Sequence, residues 1–197
     1  MPSPSNAVAA ILLTGGESRR MGRDKSQLLI GGVTLAVRTA ALLTSVVTVA
    51  IEVGPGVSGL FATTDDAPGE GPLGGVVAGC RALRTRGHDG SALVVACDLP
   101  FLSRALLELL VEWDSLQSVV PVVEGIAQPL CARWSARDLD LAGELFARGE
   151  RSLRHVSGQP GAVLLGESDW GAVASARELS DVDTPDDARR SGIATSP

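Results

Sequence analysis

The sequence predicts an α/β domain with a mostly parallel central sheet flanked by helices, and three observations predict it. Short continuous apolar runs, typical of strands buried on both faces, alternate along the chain with segments of helical period. The chain has 197 residues, which suits one hydrophobic core. Glycine-rich or acidic segments follow two of the apolar runs, as expected where ligands bind beyond the carboxyl ends of strands.

The first half of the chain alternates strands with helices. The predicted elements are, in order, strand 7–13, helix 33–43, strand 46–53, a short strand near Leu60 and Phe61, helix 75–86 and strand 91–96. Thr34 is a suitable cap for the first helix. Residues 64–75 are rich in Gly, Pro and Asp and predict a loop.

The second half continues the alternation. The predicted elements are helix 104–113, strands 117–123 and 126–134, helix 136–148, a short helical piece near 152–157, strand 161–165 and a last helix that starts with Pro185. Ser103 is the expected cap of the first of these helices, and Asp183 or Thr184 of the last.

Composition excludes several classes of function. The formal net charge is −6, which disfavours nucleic-acid binding, and aromatic residues make up only 3% of the chain. The three cysteines form no C-x-x-C pair, so a reducing cytoplasm is expected. Residues 1–6 do not resemble a signal peptide, and no apolar run is long enough to span a membrane, so no membrane partner is expected.

The loop after the first strand is the most informative segment. Residues 13–25 read L-T-G-G-E-S-R-R-M-G-R-D-K. Glycines let backbone N–H groups approach a ligand closely, and four of the 17 Lys and Arg residues fall here, so the loop suits a polyphosphate. The spacing fits neither the P-loop nor the G-x-G-x-x-G pattern. The alternative is an exposed basic turn.

This run resembles the L-x-G-G-x-S-x-R-M-G-x-D-K signature of molybdenum cofactor guanylyltransferases. The resemblance implies a Rossmann-like nucleotidyltransferase fold, with a loop that wraps the phosphates of GTP. Leu13, Gly15 and Gly16 would line the nucleotide. Lys25 and Arg20 would act in catalysis by binding and neutralising phosphate oxygens.

A second matching segment precedes the helix expected at 75–86. Residues 65–75 read D-D-A-P-G-E-G-P-L-G-G. A carboxylate here could accept hydrogen bonds from the adjacent N1–H and 2-amino donors of guanine, or could simply cap a turn. The family has an aspartate before a G-P-L-x-G motif in the nucleotide pocket. Asp66 matches it best, with Asp65 as the alternative, and Gly71 and Gly75 belong to the motif.

A third segment, C-D-L-P-F at residues 97–101, follows the strand predicted at 91–96. A carboxylate at the end of a buried strand is well placed for Mg²⁺, which prefers oxygen ligands, although a helix-capping aspartate is the alternative. The match to the family's C-D-x-P-F element favours Asp98 as a metal-binding, nucleotide-binding and catalytic residue. Cys97 and Cys80 are expected to be buried small hydrophobic residues.

The segments expected to bind the acceptor lie in the second half. G-E-R-S-L, residues 149–153, resembles the family's G-x-R-S-L stretch, which implies that Arg151 lies near the pterin phosphate; a solvated helix end is the alternative. D-V-D-T-P resembles the family's N-x-N-T-P, with Asp181 and Asp183 in place of Asn. An ionised Asp only accepts hydrogen bonds, so the pterin contact is open, and Asp183 could instead serve a metal.

The resemblance implies that the chain transfers GMP from GTP to the terminal phosphate of molybdopterin and releases pyrophosphate. Residues 7–101 would mainly bind the nucleotide and residues 102–191 the acceptor, with 1–6 and 192–197 as flexible ends. The alternatives are a cytidylyltransferase on molybdopterin, a nucleotidyltransferase for another phosphorylated acceptor, and a non-catalytic nucleotide-binding regulator. Transient contact with other cofactor-assembly proteins or with apo-molybdoenzymes is also implied.

Overall fold

The central sheet is covered by helices on both faces in the computed structural model, which describes residues 7–15, 25–65, 69, 71–153, 161–182 and 193. In chain order the elements are β1 (Ala9–Leu13), β2 (Leu29–Ile30), β3 (Val33–Thr34), α1 (Leu35–Thr44), β4 (Ala50–Val53), β5 (Phe61–Thr63), α2 (Pro72–Thr85), β6 (Ala92–Ala96), α3 (Arg104–Glu112), β7 (Val119–Val123), β8 (Ile126–Ala127), β9 (Cys131–Trp134), α4 (Ala136–Ala147), β10 (Val163–Leu165) and α5 (Glu167–Trp170). Short 3-10 helices span Lys25–Gln27 and Ala176–Leu179.

The strand order of the sheet is β5-β4-β1-β6-β9-β7-β10, with β8 paired to β7 outside this path. β1 is parallel to both β4 and β6, β5 is parallel to β4, and β10 is parallel to β7. β9 is antiparallel to both of its neighbours. The predicted α/β fold with a mostly parallel sheet is therefore confirmed, with one reversed strand between β6 and β7.

The core lies on both sides of the sheet, and β1 contributes to both because its side chains alternate between the faces. Ala9, Ile11 and Leu13 pack with residues of α2 and α4. Ala10 and Leu12 pack with residues of α1 and α3 on the opposite face. A strand buried on both sides has no polar face, which explains the continuous apolar run in the sequence.

Helix α2 lies very close to β1 because two glycines face that strand. A Cβ atom built on Gly79 would lie 2.6 Å from Ile11 Cγ2, and one built on Gly75 would lie 3.2 Å from Leu13 Cδ2. The two glycines are four residues apart and so lie on one face of the helix. This close packing brings the first turn of α2 to the carboxyl end of β1.

Two helix caps were predicted correctly. Thr34 Oγ1 accepts a hydrogen bond from Val37 N at 3.3 Å, and Ser103 Oγ accepts one from Leu106 N at 3.3 Å. The first helix nevertheless begins at Leu35 rather than at 33, because Val33 and Thr34 pair with β2 in a short antiparallel hairpin.

Three other boundaries differ from the prediction. Strand 46–53 shrinks to β4, because Val46 N and Val47 N donate to Leu43 O and extend the turn that ends α1. The helix expected from Gly75 begins at Pro72, since proline fits the first helical position. Strand 126–134 divides into β8 and β9, separated by a turn in which Cys131 N donates to Gln128 O.

Several predictions lie wholly or partly outside the described residues. These are the two flexible ends, most of the helical piece near 152–157, and the last helix with its Asp183 or Thr184 cap. Residues 151–153, which are described, contain no helical residue.

Candidate active site

The candidate site lies at the carboxyl ends of β1, β4 and β6, where the strand order reverses. After β1 the chain forms β4 and β5 on one side of it and then crosses to form β6 on the other side. Cys97 N donates to Leu13 O at 3.1 Å, which extends the pairing of β1 and β6 beyond the strands. The loop after β1 and the loop after β6 therefore leave the sheet side by side, at the position where open α/β sheets bind ligands.

The turn that carries Asp98 is connected to two other parts of the chain. Val182 N donates to Asp98 O at 3.1 Å, and Arg38 Nε of α1 donates to Pro100 O at 3.2 Å. Asp98 is half-buried. The contact with Val182 brings residues 181 and 182 next to the Asp98 turn, so the structure connects the described parts of two segments that the sequence singled out separately.

A single carboxylate at this position fits a magnesium ion. Mg²⁺ is usually bound through one or two carboxylates together with substrate phosphates, rather than by a complete set of protein ligands. Asp98 meets that need at the sheet edge. Within the described ranges, no three His, Cys, Asp or Glu residues are grouped so that they could hold a metal without a substrate.

The start of the glycine-rich loop is held against β4. Thr14 N and Gly15 N both donate to Val53 O, at 3.1 and 3.2 Å. The N–H of Gly15 is therefore already used within the fold. Gly15 is exposed, whereas Leu13 is buried against Gly75. In this arrangement the exposed backbone of Gly15 could contact a ligand, but its N–H group is already engaged with Val53 O.

Lys25, at the other end of this loop, begins the short 3-10 helix that leads into β2. Gly16 and Arg20 lie outside the described residues, as do Asp66 and Asp183. The predicted phosphate-binding loop is thus described at its two ends only.

The first turn of α2 also reaches the site. Its N-cap, Gly71, has φ 102° and no side chain to cap the helix. A helix N-terminus carries a partial positive charge and attracts anions. A Cβ atom built on Gly74 would lie 2.8 Å from both carboxylate oxygens of Asp65, so this carboxylate lies directly against the first turn. Asp65, the alternative to Asp66 as the base-binding residue, is therefore half-buried beside α2.

Arg151 joins the second half of the chain to this turn through its backbone. A Cβ atom built on Gly71 would lie 3.1 Å from Arg151 O. The guanidinium of Arg151 lies 4.2 Å from the centre of the Phe146 ring, and its Nη1 donates to Phe146 O and Glu150 O. The backbone of the predicted acceptor segment is thus near the site, while these contacts direct the arginine side chain toward the end of α4.

Sequence reasoning missed one polar residue of this region, Glu52 on β4. It is completely buried, and its carboxylate accepts hydrogen bonds from Thr14 Oγ1 and from groups in residues 56–58. Burial alone would raise the pKa of Glu52, but the hydrogen bonds from Ser58, Thr14 and Val57 hold this pKa below its ordinary value. The available signal was a carboxylate inside an apolar run that ends in Gly-Pro-Gly.

The cysteines are buried, as predicted for Cys80 and Cys97. Burial raises the pKa of Cys80, and it raises that of Cys131 to about 12, so these thiols are protonated at neutral pH. None of the helices in the described part of the chain has the length and apolar character needed to cross a membrane.

Comparison with known proteins identifies relatives along most of the chain. Residues 10–163 match the family described as the MobA-like NTP transferase domain. A probable molybdenum cofactor guanylyltransferase from Chloroflexus aggregans is 34% identical, over 91% of this chain and 91% of that protein. A molybdenum cofactor guanylyltransferase from Rhodobacter capsulatus is 36% identical, over 79% of this chain and 83% of that protein.

Solved structures share the fold. Molybdopterin-guanine dinucleotide biosynthesis protein A from Archaeoglobus fulgidus superposes with a TM-score of 0.75 at 22% identity, and the match covers 93% of this chain and 96% of that one. At this level of identity the likeness concerns the architecture, and it agrees with the Rossmann-like nucleotidyltransferase fold expected from the sequence.

Proposed function

The chain belongs to the family of molybdenum cofactor guanylyltransferases and MobA-like NTP transferase domains, and from this membership we propose that it transfers GMP from GTP to the terminal phosphate of molybdopterin. The products are the guanine dinucleotide form of the cofactor and pyrophosphate. The observation that carries the proposal is the hydrogen bond from Cys97 N to Leu13 O. It holds the start of the glycine-rich loop beside the Asp98 turn, a position from which both segments can reach the phosphates of one nucleotide.

The reaction needs positioning and charge neutralisation more than proton transfer. An oxygen of the acceptor phosphate attacks the α-phosphorus of GTP, and the bond from that phosphorus to the oxygen bridging to the β-phosphate breaks. The acceptor phosphate is already ionised near neutral pH, so no general base is needed. Catalysis then depends on alignment and on preorganised positive charge around the phosphates.

We assign the nucleotide to the loops after β1 and before α2. Leu13, Gly15 and Gly16 line it, and Lys25 and Arg20 bind its phosphates and act in catalysis. Gly71 and Gly75 let the first turn of α2 approach the nucleotide. The close packing of Gly75 on Leu13 supports this assignment.

We assign guanine recognition to Asp66. The position of the Asp65 carboxylate against Gly74 supports this choice, because that carboxylate already serves the start of α2.

We assign Mg²⁺ to the Asp98 carboxylate, together with phosphate oxygens of GTP. The ion supplies charge neutralisation at the α-phosphate and at the departing pyrophosphate. Asp98 also helps to bind the nucleotide through this ion, and its turn is kept in place from both sides by Val182 and Arg38.

We assign acceptor binding to Arg151, Asp181 and Asp183. Two backbone contacts support this choice, the approach of Arg151 O to Gly71 and the hydrogen bond from Val182 N to Asp98 O. The Arg151 guanidinium donates to Phe146 O and Glu150 O, so it must leave the end of α4 to reach a phosphate. We expect the reaction to take place in the cytoplasm, with transient contact with other cofactor-assembly proteins or apo-molybdoenzymes.

The decisive experiment measures pyrophosphate release with Mg²⁺ and molybdopterin, comparing GTP, CTP, ATP and UTP. We expect release with GTP alone. Release with CTP instead would keep the chemistry but overturn the assignment of guanine, and release without any pterin would overturn the acceptor. Repeating the assay after chelation with EDTA tests the metal, and undiminished turnover there would contradict the role given to Asp98.

A further inference from the structure

Glu52 is a buried carboxylate that the proposed chemistry does not use. It is fully inaccessible to solvent near the carboxyl end of β4, the strand between β1 and the edge strand β5. Its hydrogen-bond donors in the described part of the chain are all neutral, namely two hydroxyls and three backbone N–H groups. Burying an ionised group is costly unless hydrogen bonds compensate for the lost water. The five donors provide this compensation for the Glu52 carboxylate.

The donors come from two different segments. Gly56 N, Val57 N and Ser58 N donate at 2.8, 3.0 and 2.8 Å, and Ser58 Oγ donates at 2.5 Å. These four donors all belong to the loop that follows β4. The fifth, Thr14 Oγ1, donates at 2.5 Å from the other segment, the point where the chain leaves β1.

Thr14 is the residue through which the carboxylate reaches the glycine-rich loop. Thr14 N and Gly15 N are held by Val53 O, so the side chain and the backbone of Thr14 are both bound to β4. A Cβ atom built on Gly54 would lie 2.1 Å from Thr14 Oγ1, so only glycine leaves room for this hydroxyl. The exit of the loop from β1 is therefore fixed by three contacts within two residues, and Val53 O is a second, more distant acceptor of the Thr14 hydroxyl at 3.4 Å.

We propose that Glu52 is a positioning residue of the nucleotide site, which acts through the Thr14 hydroxyl to fix the direction in which the phosphate-binding loop leaves β1. This inference rests on the proposed function, because it takes residues 13–25 as the loop that binds the triphosphate. A loop fixed before binding loses less conformational freedom when the nucleotide arrives, so removing the contact should weaken nucleotide binding.

If Glu52 had a purely structural role, loss of either hydroxyl donor would change stability and leave GTP binding unchanged. Comparing Ser58 with Thr14 distinguishes this structural role from the positioning role. Ser58 Oγ and Thr14 Oγ1 donate to the same carboxylate at the same distance of 2.5 Å, and both residues are buried. Only Thr14 belongs to the loop that leaves β1. Losing either hydroxyl should cost stability, whereas only the loss of the Thr14 hydroxyl should affect the nucleotide.

The experiment titrates the full chain with GTP and Mg²⁺ by calorimetry and measures thermal unfolding of the same samples. Thr14→Val keeps the branched shape but removes the donor, and we expect about tenfold weaker GTP binding. Thr14→Ser retains the hydroxyl and should bind within about twofold of the unsubstituted chain, as should Ser58→Ala. We expect Thr14→Val and Ser58→Ala to lower Tm by similar amounts, about 2–6 °C.

Glu52→Met tests the carboxylate itself. It removes both acceptor oxygens at a similar side-chain length, so the Thr14 hydroxyl loses its carboxylate acceptor and GTP binding should weaken by about tenfold or more. Adding Thr14→Val to Glu52→Met should weaken binding no further, because the carboxylate that accepts from this hydroxyl is already absent.

The outcomes distinguish this inference from the proposed function. Thr14→Val binding GTP as tightly as the unsubstituted chain, or Ser58→Ala weakening GTP as much as Thr14→Val, overturns the positioning role and leaves the proposed function intact. Fully additive effects in the double variant would also overturn it. If the unsubstituted chain binds none of the four nucleoside triphosphates, the proposed function and this inference both fail.

Discussion

Buried polar side chains form two groups in the sheet, and the two groups have different roles. One group lies at the carboxyl ends of β1 and β4 and consists of Thr14, Glu52 and Ser58. The other lies on the antiparallel side, around β9 and the start of α4, and consists of Ser118, Arg133, Ser135 and Asp138. Residues of both groups are hydrogen-bonded, and among the described residues Arg133 Nε is the one buried side-chain nitrogen or oxygen atom left without a partner. Burial alone therefore does not distinguish a residue that serves the site from one that serves the fold.

The difference is in what each group holds. In the first group the carboxylate holds two loops that leave the sheet at the ligand-binding edge. In the second, Arg133 donates to the carbonyls of Val111, Trp113 and Ser115 at the end of α3. Asp138 accepts from Ser118 Oγ in the first turn of α4. Substitutions of Thr14 and Glu52 in the first group should therefore change GTP binding, and those in the second group should change stability alone.

The largest effect is expected from a pair of aspartates, one at the ligand-binding edge of the sheet and one in the second group. Asp98→Asn keeps the size of the side chain but removes the charge proposed to hold Mg²⁺, and we expect pyrophosphate release to fall by about 10²–10³-fold. Its thermal stability should barely change, because Asp98 is only half-buried.

Asp138→Asn is the matched control in the second region. It weakens the hydrogen bond from Ser118 and the favourable charge at the N-terminus of α4, so it should lower the free energy of unfolding by about 1 kcal/mol. Turnover per folded molecule should stay unchanged. A nearly active Asp98→Asn enzyme would remove the metal assignment, and equal losses of turnover in both variants would remove the distinction between the regions.

The next effect concerns Arg133. Arg133→Met retains much of the apolar length but leaves three carbonyls at the end of α3 without their charged donor, so we expect a loss of about 2–3 kcal/mol in the free energy of unfolding. Urea denaturation measures it. Arg137→Met, on the exposed face of α4, is the control and should change stability by less than about 0.5 kcal/mol.

GTP binding by the folded Arg133→Met variant should match that of the unsubstituted chain. Weaker binding at unchanged stability would place Arg133 with the site instead of the fold. Burial lowers the pKa of Arg133, yet a guanidinium remains charged near neutral pH. We therefore expect the stability difference between Arg133→Met and the unsubstituted chain to be independent of pH near neutrality.

Arg133 also illustrates how much of the fold could be predicted from the sequence. Apolar runs predicted the main strands because strands buried on both faces leave a continuous pattern, and Thr34 and Ser103 were found because a cap is a local interaction. Nothing near Arg133 in the chain indicates that its partners lie about 20 residues earlier. The hairpin of β2 and β3 was missed for another reason, since the strands have two residues each.

In the candidate site, too, local patterns could be predicted and contacts between distant residues could not. Segments with long motifs, such as residues 13–25 and 97–101, were selected from their residue pattern, and the structure joins the starts of both, Leu13 and Cys97, at one sheet edge. Glu52 was missed because its role depends on Thr14, which is 38 residues away along the chain. The contact between Val182 and Asp98 is likewise a product of the fold, which no local pattern could predict.

The smallest effect tests how α2 is set against β1, and it uses two helical glycines. Alanine improves helix propensity by about 1 kcal/mol at either position. A Cβ atom on Gly143, in α4, meets nothing within 4 Å, so Gly143→Ala should raise the free energy of unfolding by about 0.5–1 kcal/mol. On Gly79 it would lie 2.6 Å from Ile11 Cγ2, within the core.

Gly79→Ala should therefore lower the free energy of unfolding by about 1–2 kcal/mol despite the better propensity, because the branched side chain of Ile11 cannot move away without disturbing the sheet. Relief of the overlap would push α2 away from β1 and move its first turn from the site, so GTP binding should weaken by about threefold as well. Urea denaturation and GTP titration of both variants measure these changes. If Gly79→Ala gained stability as Gly143→Ala does, α2 would not be fixed by its contact with β1, and the position of its first turn at the site would need another cause.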